Sequence, residues 1–340
     1  MRGIRIRALL AVAALVGVVA VTAAPAQAAT PAQLLVRYQP VTVLDPLEPF
    51  APTSVNGFVA DSTLQVQTAP GTWAPADADP SLGGLPVTPT QTCSDLGIGD
   101  CYRLNQQPCS PAGGTAAVTC YRDAWLAHAT PSVVYGRVAY RPSRIVVQYW
   151  YFYYDDLYSY DYPPDDLFWQ AHEGDWEVVS VVLDRRTQRP LQAAYSQHCT
   201  GERRAWSDLD RIGTHPVDHV AIGSHANLLD AGSHPVATAC IPPAALQILQ
   251  ANGLPEPVDR SGAGHSFGPS SIASVTATEI RRIDRRRTPW VAFAGTWGED
   301  QVFHAPAPIG TVTLGTSPMS PAYAALWKTP LAVIGQWPEG

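Results

Sequence analysis

The stretch from Trp176 to Leu183 most restricts what this chain can fold into: it is rich in β-branched residues, has no Gly or Pro, and predicts a strand. Successive side chains on a strand point to opposite faces. Asp175, Glu177, Val179, Val181 and Leu183 therefore share one face, and Trp176, Val178, Ser180 and Val182 the other. Two carboxylates stand at the mouth of an apolar face, with His172 supplied by the turn just before. Side by side, two carboxylates repel and are costly to desolvate unless a cation or a proton intervenes. Oxygen-rich ligation with one imidazole suits Ca²⁺, Mg²⁺ or Mn²⁺. Without an ion, the same residues read as acids solvated at a strand end beside a loop histidine.

Further strands are expected on both sides of this one. Residues 133–140 and 145–154 alternate well around the turn Arg141-Pro142-Ser143, and residues 192–198, 218–224, 290–296 and 310–314 follow the same pattern. Residues 242–252 form the one clear helix, with proline at the start and Gly253 after the end. Prolines 40, 46, 49 and 52 argue against a helix in 34–64. A Pro- and Cys-rich region, 73–130, reads as a long loop stapled by cysteines. The expectation is a mostly β chain: one antiparallel, jelly-roll-like β-sandwich domain over 29–340, with long loops and one or two short helices.

Asp155, Asp156, Asp161, Asp165 and Asp166 fall in the loop that leads to His172; such acidic loops are usually solvated, but the end of this one lies within reach of the expected ion. His198 and His225 both stand at strand ends, where sites are built on β scaffolds, and Ser224 is next to the latter. Residues 281–287 form a basic cluster that reads as a solvated face or, more sharply, as a phosphate or lipid-headgroup contact. H-E-x-x-H, G-x-S-x-G and phosphate-cradling glycine motifs are all absent. Ser196, Ser224, His198 and Asp218 could be drawn as a triad, but no spacing supports it.

Residues 1–28 have the build of a secretory signal: Arg2, Arg5 and Arg7, an apolar run, then Ala26-Gln27-Ala28. The run is short for a membrane span, and no later stretch supplies the required ~20 apolar residues. Cleavage after Ala28 would leave 19 basic against 29 acidic residues, a charge of −10 that argues against nucleic-acid binding. Six cysteines remain, an even count that favours disulfides in an exported protein. Cys93, Cys101, Cys109 and Cys120 are expected to pair locally, leaving Cys199 with Cys240. No C-x₂-C spacing supports zinc. A secreted or cell-wall-associated monomer is expected.

The motifs Arg37-Tyr38-x-Pro40, Gln148-Tyr149-Trp150-Tyr151-Phe152-Tyr153, His172-Glu173-Gly174-Asp175-Trp176-Glu177, Ser196-Gln197-His198 and Gly223-Ser224-His225-Ala226 resemble the vacuolar protein sorting-associated protein 62 family over most of the mature chain. More distantly, residues 171–177 are similar to the G-H-R-H-D-W-E heptad of the necrosis- and ethylene-inducing-like cytolysins. That similarity implies cation ligands at His172, Asp175 and Glu177, with an upstream acid at Asp166 or Asp165. Glu173 and Gly174 replace the heptad's Arg and second His, which weakens any inference of toxicity. Glu173, matching no ligand, is expected to tolerate alanine, whereas Glu177→Ala should cost cation affinity and stability. The function expected is a cation-organised surface that engages a glycan, glycolipid or other cell-surface ligand. The alternative is a metal-dependent hydrolase using the same residues with His198 or His225 as acid or base.

Overall fold

A computed structural model describes residues 28–95, 97, 101–106, 109–111, 115–128, 132–159, 169–241, 243–251, 253, 256–304 and 311–331. The signal-like segment, apart from Ala28, and Asp161, Asp165 and Asp166 lie outside the described residues.

The chain is built around one long antiparallel hairpin, Arg144–Ser159 against Trp169–Asp184, in register from Arg144 opposite Asp184 to Ser159 opposite Trp169. It forms the centre of a six-stranded sheet. Val133–Tyr140 flanks it on one side, then Glu279–Arg282; Pro190–Gln197 and Thr200–Ala205 flank it on the other. Every pairing in this sheet is antiparallel except that of the edge strand Glu279–Arg282.

Alternation gives the hairpin two apolar faces. On one, Tyr149, Tyr151 and Tyr153 stand opposite Val179, Glu177 and Asp175. This face packs on the helix Pro31–Tyr38 and a second sheet: Tyr149 Oη donates to Leu35 O at 2.8 Å, and Thr42 Oγ1 to Tyr151 Oη at 3.2 Å. In that sheet Val41–Leu44 runs parallel to His215–Val220 and antiparallel to Ser266–Gly268. On the other face, Phe152 and Trp176 pack edge-on against Trp297, with centroids 5.3 and 5.5 Å apart. Trp297 extends from Gly295–Thr296, which edges a four-stranded sheet with Tyr102–Gln106, Ser62–Ala69 and Thr72–Asp77. The fold is thus mostly β and layered as a sandwich, with mixed rather than purely antiparallel sheets.

Several local expectations are corrected. Helices are more numerous than one or two: six occur among the described residues. Pro31–Tyr38 is helical because Pro31 occupies the first turn and Thr30 with Gln33 closes a capping box. Val55–Ala60 follows, capped by Ser54, so the dense prolines separate helices here rather than forbid them. The cysteine-rich region contributes two sheet strands and the 13-residue helix Thr115–Ala127. Residues 289–292 form a 3₁₀ turn instead of a strand. The cysteines pair as Cys93–Cys101, Cys109–Cys120 and Cys199–Cys240.

Candidate metal centre

The long hairpin does not stop where its composition turns acidic. Asp155 and Asp156 lie within its first strand rather than in a loop, and His172 lies within its second rather than in a turn. Asp156 pairs directly with His172. The turn-like signal came from Gly174, which adopts φ +59° inside the strand. A Cβ there would sit 2.0 Å from Trp297 O, so only glycine admits this approach. The left-handed residue breaks the alternation of faces and brings Asp175 round to His172.

Asp156, His172 and Asp175 each offer one ligand atom, all within 4.8 Å of one another. His172 Nδ1 lies 2.8 Å from Gly174 O. A carbonyl only accepts, so Nδ1 donates to it, and this bond fixes the ring with Nε2 turned toward Asp156, the orientation a ligating imidazole needs. Nε2 faces Asp156 Oδ2 at 3.5 Å. This is long for a charge-assisted hydrogen bond. It suits neighbouring ligands on one ion, which at ~2.1–2.5 Å bond lengths stand roughly 3–3.5 Å apart. Burial pushes the Asp156 carboxyl up to about 6, against the pull of His172. Two carboxylate oxygens and one imidazole nitrogen therefore fit a hard or borderline divalent cation.

Around this cluster the charges are unusually dense for an interior. His225, fully buried, is held with Nδ1 3.2 Å from Asp175 Oδ2 and Nε2 3.3 Å from Glu48 Oε1. Its ring stacks on Tyr153 at 3.9 Å and 3°. Burial alone pulls this imidazole down, but Glu48 and Asp175 outweigh burial and hold it well above its ordinary value. His225 itself has φ +52°, in the turn that Gly223 opens at φ +76°. Glu48 also accepts from Gly223 N at 2.7 Å, fastening that turn to the second sheet.

Glu177 lies further along the strand. Its Oε2 accepts from Ser196 Oγ, and Ser196 Oγ in turn accepts from Val178 N at 2.7 Å. Burial, then Asp175, pushes the Glu177 carboxyl well above its ordinary value. His198, at φ +50° after Pro190–Gln197, places Nε2 2.9 Å from Asp259 Oδ2. Burial lowers it, but Asp259 dominates, with Asp156 and Glu177 adding, and the imidazole rises to about 9. His198 and Asp156 line one small cleft with Tyr158, Val236, Cys240 and Pro257.

The structure therefore brings His172, Asp175, Glu177, His198 and His225 into one electrostatic neighbourhood and adds Asp156, Glu48 and Asp259 to it. Asp156 could have been found by extending the alternation through Tyr154-Asp155-Asp156-Leu157; Glu48 and Asp259, remote in sequence, leave no local signal. The drawn triad is not assembled. Ser224 Oγ donates to Asp259 Oδ1 at 2.6 Å, and Ser196 to Glu177, so neither hydroxyl faces a histidine base. Asp155 is 2 % exposed, and neither of its carboxylate oxygens has a hydrogen-bond partner among the described residues.

Glu173 is a correction as well. It is fully buried and accepts from Tyr121 Oη at 2.9 Å, Gln106 N at 3.1 Å and Glu299 N at 2.9 Å. It pins the four-stranded sheet to the hairpin and is no tolerant turn residue.

No protein-family profile matches this chain, and no curated protein does. The vacuolar sorting resemblance thus finds no support in these comparisons. Among solved structures, the chain aligns with a necrosis- and ethylene-inducing protein 2 from the causal agent of cocoa's witches' broom disease. Identity is 22 %, over 29 % of this chain and 45 % of that one, with TM-score 0.24. It also aligns with a non-toxic protein named HaNLP3, at 16 % identity over 56 % and 64 % of the two chains, TM-score 0.28. A third, NLPPya in complex with mannosamine, gives 15 % identity over 58 % and 67 %, TM-score 0.28. In the first of these, the chain spans less than half of the neighbour's length. At such TM-scores the likeness carries no functional argument, and the reading below rests on the site.

Proposed function

We propose that this protein binds one divalent cation through Asp156, His172 and Asp175, with Ca²⁺ or Mg²⁺ favoured and Mn²⁺ accommodated, and that the ion organises a surface for a glycan or lipid headgroup. One observation supports this reading above all: two carboxylates and an imidazole held in a fixed orientation converge inside 4.8 Å. Three protein donors leave coordination positions that hydroxyl or phosphate oxygens of a ligand can fill. The small cleft beside Asp156 admits a ligand oxygen toward the ion, and the His198 imidazolium on its wall offers a charged donor. Glu177 serves as an outer carboxylate, and Asp166 or Asp165 remains available as a further ligand. Three disulfides fit an exported protein in an oxidising compartment.

The hydrolase alternative gains no base from His198 or His225, because a histidine held charged, as both are, accepts no proton near neutral pH. The reading is tested by measuring retention of the protein on immobilised amino sugars, glucosamine and mannosamine first, and on glycolipid-coated surfaces. Retention should require the divalent ion, vanish with chelator, and fail for Asp175→Asn. Retention that ignores chelator would overturn the reading.

A further inference from the structure

At the opposite end of the long hairpin the charge reverses. Asp156 and Arg144 are 12 residues apart on one strand, which at ~3.3 Å per residue is roughly 40 Å. Two bonded turns close the sheet at this far end, and a third basic turn leaves the edge strand beside them in the chain's charge pattern. The first carries Arg141 and Arg144, and the second carries Arg185, Arg186 and Arg189. These two turns are bonded together: Arg185 Nη1 donates to Arg141 O at 2.6 Å and Arg185 N to Ser143 O at 3.1 Å.

The third turn follows the edge strand Glu279–Arg282, whose exit is fixed by Ile283 N donating to Gly136 O at 3.0 Å. It adds Arg282, Arg285, Arg286 and Arg287, all exposed. Lys328 joins the first turn, its carbonyl accepting from Arg141 and its ammonium lying over Tyr323. Among the described residues, the first two turns with Lys328 carry six cations against Asp184, and the third turn adds four against Asp284, in a chain whose net charge is −7. Both carboxylates are engaged by backbone N–H groups of their own turns.

Segregation on this scale is not required by folding, since most of these guanidiniums are exposed. Strand-end turns side by side make a broad, shallow face rather than a groove. Tyr140, 44 % exposed, stands within it under the Arg185 guanidinium, an aromatic placed as at membrane interfaces. Beside it, Pro142, Ser143, Asp184, Arg185 and Arg186 line a wide, open hollow. Arginine matches phosphate oxygens bidentately. We infer that this basic pole docks on an anionic phospholipid surface, leaving the carboxylate-rich pole some 40 Å away and directed outward. The inference is independent of the cation site.

Co-sedimentation of the exported chain with phosphatidylcholine vesicles, with and without phosphatidylserine, tests it; chelator in every sample silences the other pole. Binding is expected on the phosphatidylserine vesicles alone and should fall steeply with added salt. Each arginine near the surface contributes a factor of about five, so Arg186→Gln, Arg189→Gln and Arg286→Gln together should weaken binding on the order of a hundredfold. Should that triple variant fold poorly, each single change should still weaken binding about fivefold. Equal partition onto both vesicle types, full binding by the variants, or capture on heparin without vesicle binding would each overturn the inference.

Discussion

Replacing Glu173 by glutamine and by alanine should move stability in different directions. Burial pushes this carboxyl up from the ordinary 4.5 to about 8, opposed by the bonds from Gln106 and Tyr121. At pH 7 the folded protein therefore carries it mostly as the neutral acid. Between pH 4.5 and 8 the folded state holds a proton that the unfolded state has lost, so this group makes stability fall as pH rises, by about 1.4 kcal/mol per pH unit. Glutamine reproduces the neutral acid: its oxygen can take the bonds from Glu299 N and Gln106 N while its NH₂ faces the rotatable Tyr121 hydroxyl. Glu173→Gln should be neutral or stabilising at pH 7, more stabilising at pH 8, and should remove this group's slope. Glu173→Ala instead strands three buried donors. At ~1–3 kcal/mol for each, it should cost roughly 3–9 kcal/mol. Urea unfolding at pH 5, 6, 7 and 8 with chelator present measures both. If alanine and glutamine behave alike, or the wild-type slope survives in Glu173→Gln, the carboxyl does not act as described.

Three further outcomes follow from the site's supports. Gly174→Ala should prevent stable folding or cost several kcal/mol, because φ +59° and a contact 2.0 Å from Trp297 O both oppose a Cβ; a melting temperature close to wild type would refute this. Removing the Cys199–Cys240 bridge, which closes 41 residues, should cost roughly 4 kcal/mol by loop entropy, read as a lowered urea midpoint in Cys199→Ser/Cys240→Ser. Ser196→Ala leaves Val178 N without its acceptor and Glu177 without its hydroxyl donor, and should destabilise by about 1–3 kcal/mol in the same assay.

Much of this arrangement was legible before any coordinates. Periodicity located the two central strands, and the even cysteine count with local spacing agreed with the observed pairs. His172 and Asp175 stood out because acids and an imidazole at a strand mouth need a partner. What escaped was tertiary. A strand can run on through acidic residues when its neighbour supplies the register, as Asp156 opposite His172 shows. Gly174 read as a turn because a single left-handed residue inside a paired strand has no local signature. Glu173 looked idle because its three donors come from Gln106, Tyr121 and Glu299, distant in sequence. Helix Pro31–Tyr38 was hidden by the prolines from Pro40 onward, which all lie past its end, while Pro31 in its first turn favours it.

The account depends most on whether Asp156, His172 and Asp175 hold an ion. Calorimetric titration of Ca²⁺, Mg²⁺ and Mn²⁺ into chelator-stripped protein measures this directly. One ion per chain should bind, Asp175→Asn and Asp156→Asn should each abolish the heat, and at 100-fold saturation the bound ion should add about 2.7 kcal/mol to wild-type stability. Absence of any binding heat, with identical melting in ion and in chelator, would contradict it.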